Sequence, residues 1–215
     1  LQTPKASYVL GVYEGKYLLH LYYGKRIERY TAMQHRLPTD GGSGFSATDV
    51  EESRYSTNVL PMEFPCYGSA DYRSPAFHAE YEDGSAVTKL LYQGYHIESG
   101  KKPLCGLPAT YVENESEADT LEITLKDAVT GLVVILSYTV LNNLDAIAKS
   151  VRVQNGGNQK INIKSLLSSA SYLFDKDYEF VHLAGAWARE RHIQKQPLQN
   201  STILIDSKRV SSSHM

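Results

Sequence analysis

The only tryptophan of the chain lies in "HLAGAWARERH", residues 182–192. In an extended backbone successive side chains alternate between faces. Trp187 would then share a face with Arg189 and Arg191, while Glu190 points the other way. An indole plate stacks on the apolar C–H patches of a sugar ring, and guanidinium forks donate hydrogen bonds to its hydroxyls. That trio could bind a hydroxyl-rich ligand. The same spacing also fits a tryptophan packed inside a β-sandwich with surface arginines beside it, and spacing alone leaves both readings open.

Carboxylates supply a second candidate chemistry. In "LFDKDYEF", residues 173–180, Asp175, Asp177 and Glu179 would line one strand face. Glycoside hydrolysis uses a carboxyl pair, but the two must flank the substrate from opposite sides. Side chains at i and i+2 on a strand point the same way, roughly 7 Å apart. A charged edge or turn accounts for the acids more simply. Glu113, Glu115 and Glu117 of "VENESEAD" read as one face of a solvated strand edge that resists pairing. The 7 histidines are scattered, with no HExxH pair on a helical face, so no metal site is expected. "GGSG" at residues 41–44 lacks the GK[ST] ending of a phosphate loop, and no GxSxG elbow anchors a serine hydrolase.

The elements that must position these side chains are overwhelmingly strands. "SYVLGVYEGKYLLHLYYGK" reads as two strands reversing at Glu14-Gly15-Lys16. "LEITLKD" alternates like a half-buried strand, and "GLVVILSYTVL" is apolar enough for burial on both faces. "SVRVQN" and "KINIKSLL" flank Gly156-Gly157, a hairpin signature. "ILIDS" near the end is a further candidate strand, and "NNLDAIAKS" a short helical connector. Turn signals every 8–12 residues predict an all-β fold, a large antiparallel sandwich spanning 1–215 as one domain. Residues 36–65 break the pattern. They form a long polar, glycine-rich stretch expected to find little to pack against, and to be mobile around Gly41 to Ser56.

Composition narrows the function classes. A net charge of -2 argues against nucleic acid or an anionic membrane as partner. No run reaches the roughly 20 apolar residues that a membrane helix needs. The two cysteines, Cys66 and Cys105, lack CxxC or metal-ligand spacing and read as reduced thiols, consistent with a cytoplasmic protein. No cofactor is called for. From the residues alone, the chain is a carbohydrate-binding or purely structural β-sandwich module.

Six segments add to this reading: "SYVLGVYEGKYLLHLYYGK", "LPMEFPCYGSADYRSPAF", "GKKPLCGLPATYVE", "EADTLEITLKDAVTGL", "DYEFVHLAGAWARERH" and "SKRVSSSH". In this order and spacing they resemble the N-terminal domain of bacterial α-galactosidases of glycoside hydrolase family 36. The resemblance implies a β-supersandwich that precedes a (β/α)8 catalytic barrel. It also implies a parent enzyme releasing terminal α-galactose from melibiose- and raffinose-type oligosaccharides with retention. The family's nucleophile lies in a KWD-like barrel motif. Here the single tryptophan stands outside any such motif, so this chain is expected to hold neither catalytic carboxylate and to be inactive alone. By the same resemblance Trp187 reaches the galactose subsite. The family forms tetramers whose long N-terminal loop enters a neighbour's active-site channel. An aspartate and an arginine of that loop match Asp40 in "TDGGSGFS" and Arg54 in "ESRYS".

Overall fold

The computed structural model describes residues 1–31, 55–107, 109–173, 177–198 and 202–206. Among them every ladder between strands is antiparallel, and the fold is an all-β sandwich. The chain divides into two compact units, Leu1–Tyr172 and Leu173–Met215.

The first unit opens with β1 (Ala6–Tyr13) and β2 (Tyr17–Lys25). The reversal between them is the expected one. Glu14 and Gly15 have φ of 51° and 67°, and the Lys16 amide donates to the Tyr13 carbonyl at 2.9 Å. Two consecutive positive φ values make a turn whose twist matches the flanking strands. A four-stranded sheet follows, in the order β4 (Leu91–Ser99), β5 (Ala118–Lys126), β6 (Leu132–Leu141), β7 (Ile147–Asn155). β3 (Phe77–Tyr81) pairs with β8 (Ile161–Leu166). The period of two along β6 builds the core, because Leu132, Val134, Leu136, Tyr138 and Val140 are all buried. The first four pack with Tyr8 and Leu18 of the first hairpin and with Phe77, Ala79 and Tyr81 of β3. The other face of β6 is only half-buried at Val133, Ile135 and Ser137, so its continuous apolar run does not mean full cover on both sides.

Several expectations are corrected. Gly156-Gly157 does not close a β7–β8 hairpin, since β7 pairs with β6 and β8 with β3. The glycines instead let the chain pass against the β5–β6 turn. A Cβ on Gly131 would lie 2.9 Å from the Gly157 Cα, and one on Gly157 would run into the Thr130 carbonyl oxygen. Gly157→Ala is therefore expected to lower stability by on the order of 1–3 kcal/mol, read as a shift of the urea midpoint at constant slope. An unchanged midpoint would contradict this packing. "NNLDAIAKS" is not helical. Asn142–Asp145 turn the chain and Ile147 already begins β7, where the Asp145 carboxylate accepts from the Lys5 amide at 2.7 Å and Thr3 Oγ1 at 3.0 Å. Of "ILIDS", residues 203–206 are described and join no ladder among the described residues, and Leu204 is exposed. Glu115–Glu117 form a 3₁₀ turn, not a strand face.

The end of the long irregular stretch is not loosely held. Ser56, Leu60 and Pro61 are fully buried, and Glu63 and Phe64 nearly so. The His20 amide donates to the Pro61 carbonyl at 2.8 Å, and the Glu63 amide to Leu18 at 3.0 Å. Arg73 fastens the other side by donating to the carbonyls of Thr57 at 3.0 Å and Leu60 at 2.6 Å while bridged to Asp71. Residues 55–65 thus belong to the sandwich, because β2 offers them an unpaired edge and β1, β6 and β7 an acceptor-hungry pocket for Glu63. Residues 32–54 lie outside the described residues.

Among its described residues, the second unit contains a hairpin, β9 (Glu179–Ala186) and β10 (Arg189–Pro197), with Trp187 and Ala188 at its tip.

Candidate functional site

Two places collect the side chains that could do chemistry. The first is the tip of the β9–β10 hairpin. The backbone is not extended through Trp187, so the shared face with Arg189 and Arg191 does not form. The chain reverses at Trp187-Ala188, Ala186 pairs with Arg189, and the next register pair is Ala184 with His192. Glu190 and Arg191 on β10 therefore stand opposite the single Gly185 of β9, one residue more than its partner, the geometry of a bulge. Trp187 itself is 84% exposed. The ring is thus not packed into its own hairpin. Neither the Arg189 nor the Arg191 side chain makes a hydrogen bond or ion pair among the described residues, and both residues are exposed. The tip thus presents a free aromatic plate with two uncommitted guanidinium groups close along the chain, chemistry suited to stacking on a sugar ring and donating to its hydroxyls.

The second place is buried in the first unit. The Glu63 carboxylate accepts from the Tyr8 hydroxyl, at 2.6 and 2.7 Å to its two oxygens. It also accepts from the Tyr138 hydroxyl at 2.8 Å and from Lys149 Nζ at 3.1 Å. His20 Nδ1 stands 3.2 Å away. Each partner comes from a different strand: Tyr8 from β1, His20 from β2, Tyr138 from β6 and Lys149 from β7. Burial alone would raise the Glu63 pKa. The His20 hydrogen bond, the Lys149 charge and the two tyrosine hydroxyls outweigh it, and the carboxyl is held below its ordinary value. Burial first, then the adjacent carboxylate, pushes both tyrosine hydroxyls far up, so they remain donors.

This cluster has the makings of acid–base chemistry but no room for a substrate. The crevice beside Glu63, Tyr138 and Lys149 holds only ≈ 10 Å³, at or below the minimum for one water. It is a junction between strands. A groove of ≈ 590 Å³ between the β1–β2 hairpin and the sheet is mostly apolar and carries Asp119 as its single carboxylate. Retaining glycoside hydrolysis needs two carboxyls roughly 5 Å apart, and this groove cannot supply them. Of the acids in "LFDKDYEF", Asp177 and Glu179 are exposed at the start of β9, and Asp175 lies outside the described residues. No group of three or more His, Cys, Asp or Glu side chains could hold a metal ion among the described residues. Cys66, buried, and Cys105, exposed, are both free thiols, and burial pushes the Cys66 thiol up.

Comparison with known proteins decides the lineage. The family model described as the glycosyl hydrolase family 36 N-terminal domain matches residues 16–215. The chain belongs to this family. The α-galactosidase AgaA of Geobacillus stearothermophilus is 40% identical over 214 residues, 100% of this chain and 29% of that protein. α-Galactosidase 1 of Pediococcus pentosaceus is 34% identical over the same extent, again 29% of its length. The chain thus spans under a third of these relatives. Among solved structures, the family 36 α-galactosidase AgaA in complex with 1-deoxygalactonojirimycin superposes with a TM-score of 0.93 at 40% identity, covering 100% of this chain and 30% of that one. The AgaA complex with raffinose gives 0.87 over 93% of this chain and 28% of that one.

Of the three residues expected to meet substrate, the structure places Trp187, at the hairpin tip. Asp40 and Arg54 lie outside the described residues. The buried Glu63 junction was not foreseen. Its signal is one charged or polar residue set in each of several apolar segments: His20 in "YLLHLYY", Glu63 in "LPMEFP" and Lys149 in "IAKSV".

Proposed function

We propose that the chain is the N-terminal, non-catalytic part of a retaining α-galactosidase that removes terminal α-D-galactose from melibiose- and raffinose-type oligosaccharides. The observation that carries this reading is the 40% identity to an α-galactosidase across the whole chain. Relatives solved with raffinose and with stachyose support the substrate class. In this reading the nucleophile and the acid/base stand in a following barrel, and Trp187 forms one wall of the galactose subsite. Asp40 and Arg54 reach a neighbouring subunit's channel in a tetramer. Two free thiols fit a cytoplasmic enzyme.

The test is release of nitrophenol from nitrophenyl α-galactoside. The 215-residue chain alone is expected to give none above a mock preparation, and the complete enzyme to turn over. A retaining mechanism has neither nucleophile nor leaving-group acid without the barrel. Turnover by the chain alone overturns the proposal. The exposed plate also suits a stand-alone sugar-binding module. That reading requires galactose to change the fluorescence of the single tryptophan in the isolated chain, and requires no hydrolase downstream.

A further inference from the structure

The tip that carries Trp187 is built in an unusual way. Two-residue hairpin loops favour Asn-Gly, Asp-Gly or Gly-Gly because their central residues need positive φ. Here the loop is Trp187-Ala188, and Ala188 has φ of 60°. Arg191 in the bulge also has φ of 60°. Neither position uses glycine, the residue that would occupy it without a steric penalty. Non-glycine residues persist in such conformations where surrounding structure over-determines them, and they cluster at functional sites.

Two features over-determine this tip. The Glu190 carboxylate turns back and accepts a hydrogen bond from the Ala188 amide at 2.9 Å. That amide belongs to the peptide plane directly following the Trp187 Cα, so holding it fixes the direction in which the indole leaves the hairpin. Gly185 supplies the room. A Cβ there would lie 2.8 Å from the Arg189 carbonyl oxygen and 3.0 Å from the Glu190 Cα, because the bulge lies folded directly on β9. Only glycine lets Glu190 sit close enough to reach Ala188.

We infer that Glu190 is a positioning residue for Trp187, with Gly185 as the space that admits it. Glu190 does not touch sugar. It pre-organises the plate that does, and in that respect the inference rests on the proposed role of Trp187. Pre-organising a binding group reduces the ordering cost at the moment of binding, so its loss is felt in KM.

The 215-residue chain has a single tryptophan, so indole anisotropy decay and the near-ultraviolet circular dichroism of the indole report Trp187 alone. Glu190→Ala is expected to add a fast component to the anisotropy decay and weaken the indole band. Glu190→Gln, which keeps an acceptor oxygen, is expected to restore both, and the melting temperature is expected to stay the same in each. An indole as ordered in Glu190→Ala as in the unaltered chain overturns the inference. So does Glu190→Gln loosening it as much as alanine. In the complete enzyme Glu190→Ala is expected to raise KM for α-galactosides roughly 3- to 10-fold with kcat little changed, and to add nothing on top of Trp187→Ala. Additive losses would contradict a role exerted through Trp187. Should Trp187→Ala itself leave kinetics untouched, the sugar-contact reading fails, while the anisotropy result still decides the positioning role.

Discussion

Glu63→Ala is expected to destabilise the Leu1–Tyr172 unit by roughly 3–5 kcal/mol, the cost of breaking a buried ion pair from one side. The change strands Lys149, whose side chain is 18% exposed. It also removes the shared acceptor of the Tyr8 and Tyr138 hydroxyls, which sit in the core cluster. Lys149 keeps its bond to the Tyr8 hydroxyl at 2.6 Å, which places the effect nearer the lower end. Glu63→Gln, which preserves shape and some accepting capacity, is expected to cost less. Urea unfolding of the 215-residue chain measures both. The pH dependence has a definite sign. Because the folded-state pKa of Glu63 is lowered from its ordinary 4.5, the unfolded chain takes up the proton first as pH falls. The carboxylate's contribution is complete above pH 4.5 and is lost as pH drops through the lower folded value. Glu63→Gln should therefore flatten the acid limb of stability against pH. An unaltered limb, or a loss of stability no greater than that of an exposed glutamate, would mean the junction is not a structural lock.

How far the fold could be read in advance depends on how local its causes are. The Glu14-Gly15 reversal and the alternation in β5 are properties of adjacent residues, and both are found as expected, whereas the apolar run of β6 is covered fully on one face only. Gly156-Gly157 shows where local reasoning stops. A double glycine serves a tight hairpin or a close approach by a distant segment equally well. Which one occurs depends on Thr130 and Gly131, some 25 residues earlier in the chain. Glu63 fails to announce itself for the same reason, since its four partners come from four strands. Residues 55–65 looked featureless because their order derives from the β2 edge and from Arg73, not from any period of their own. Residue type marks the Trp187 segment, but its geometry departs from strand alternation. Alternation applies only while the strand continues, and nothing short-range in "GAWARER" marks Ala188 as a turn residue.

On the proposed stacking role, Trp187→Ala in the complete enzyme is expected to lower kcat/KM by up to roughly a hundredfold, about 1–3 kcal/mol. Its melting temperature should barely move. The indole is 84% exposed and contributes little to the packing of its own unit. Trp187→Phe, which retains a smaller plate, is expected to fall between the two. A large fall in melting temperature with unchanged kinetics would assign the ring to structure, and the hairpin would then be an interface element.

In the proposed function the galactose ring rests against Trp187. Oxidation of the complete enzyme with N-bromosuccinimide, followed at the peptide containing residue 187 by mass spectrometry with and without saturating galactose, tests this contact. An accessible indole is modified readily, and one covered by a bound ring is shielded. The expected result is rapid oxidation of Trp187 in the free enzyme and clear protection by galactose, with glucose giving much less. Equal oxidation in the presence and absence of galactose, under conditions where the sugar inhibits the enzyme, would contradict the account.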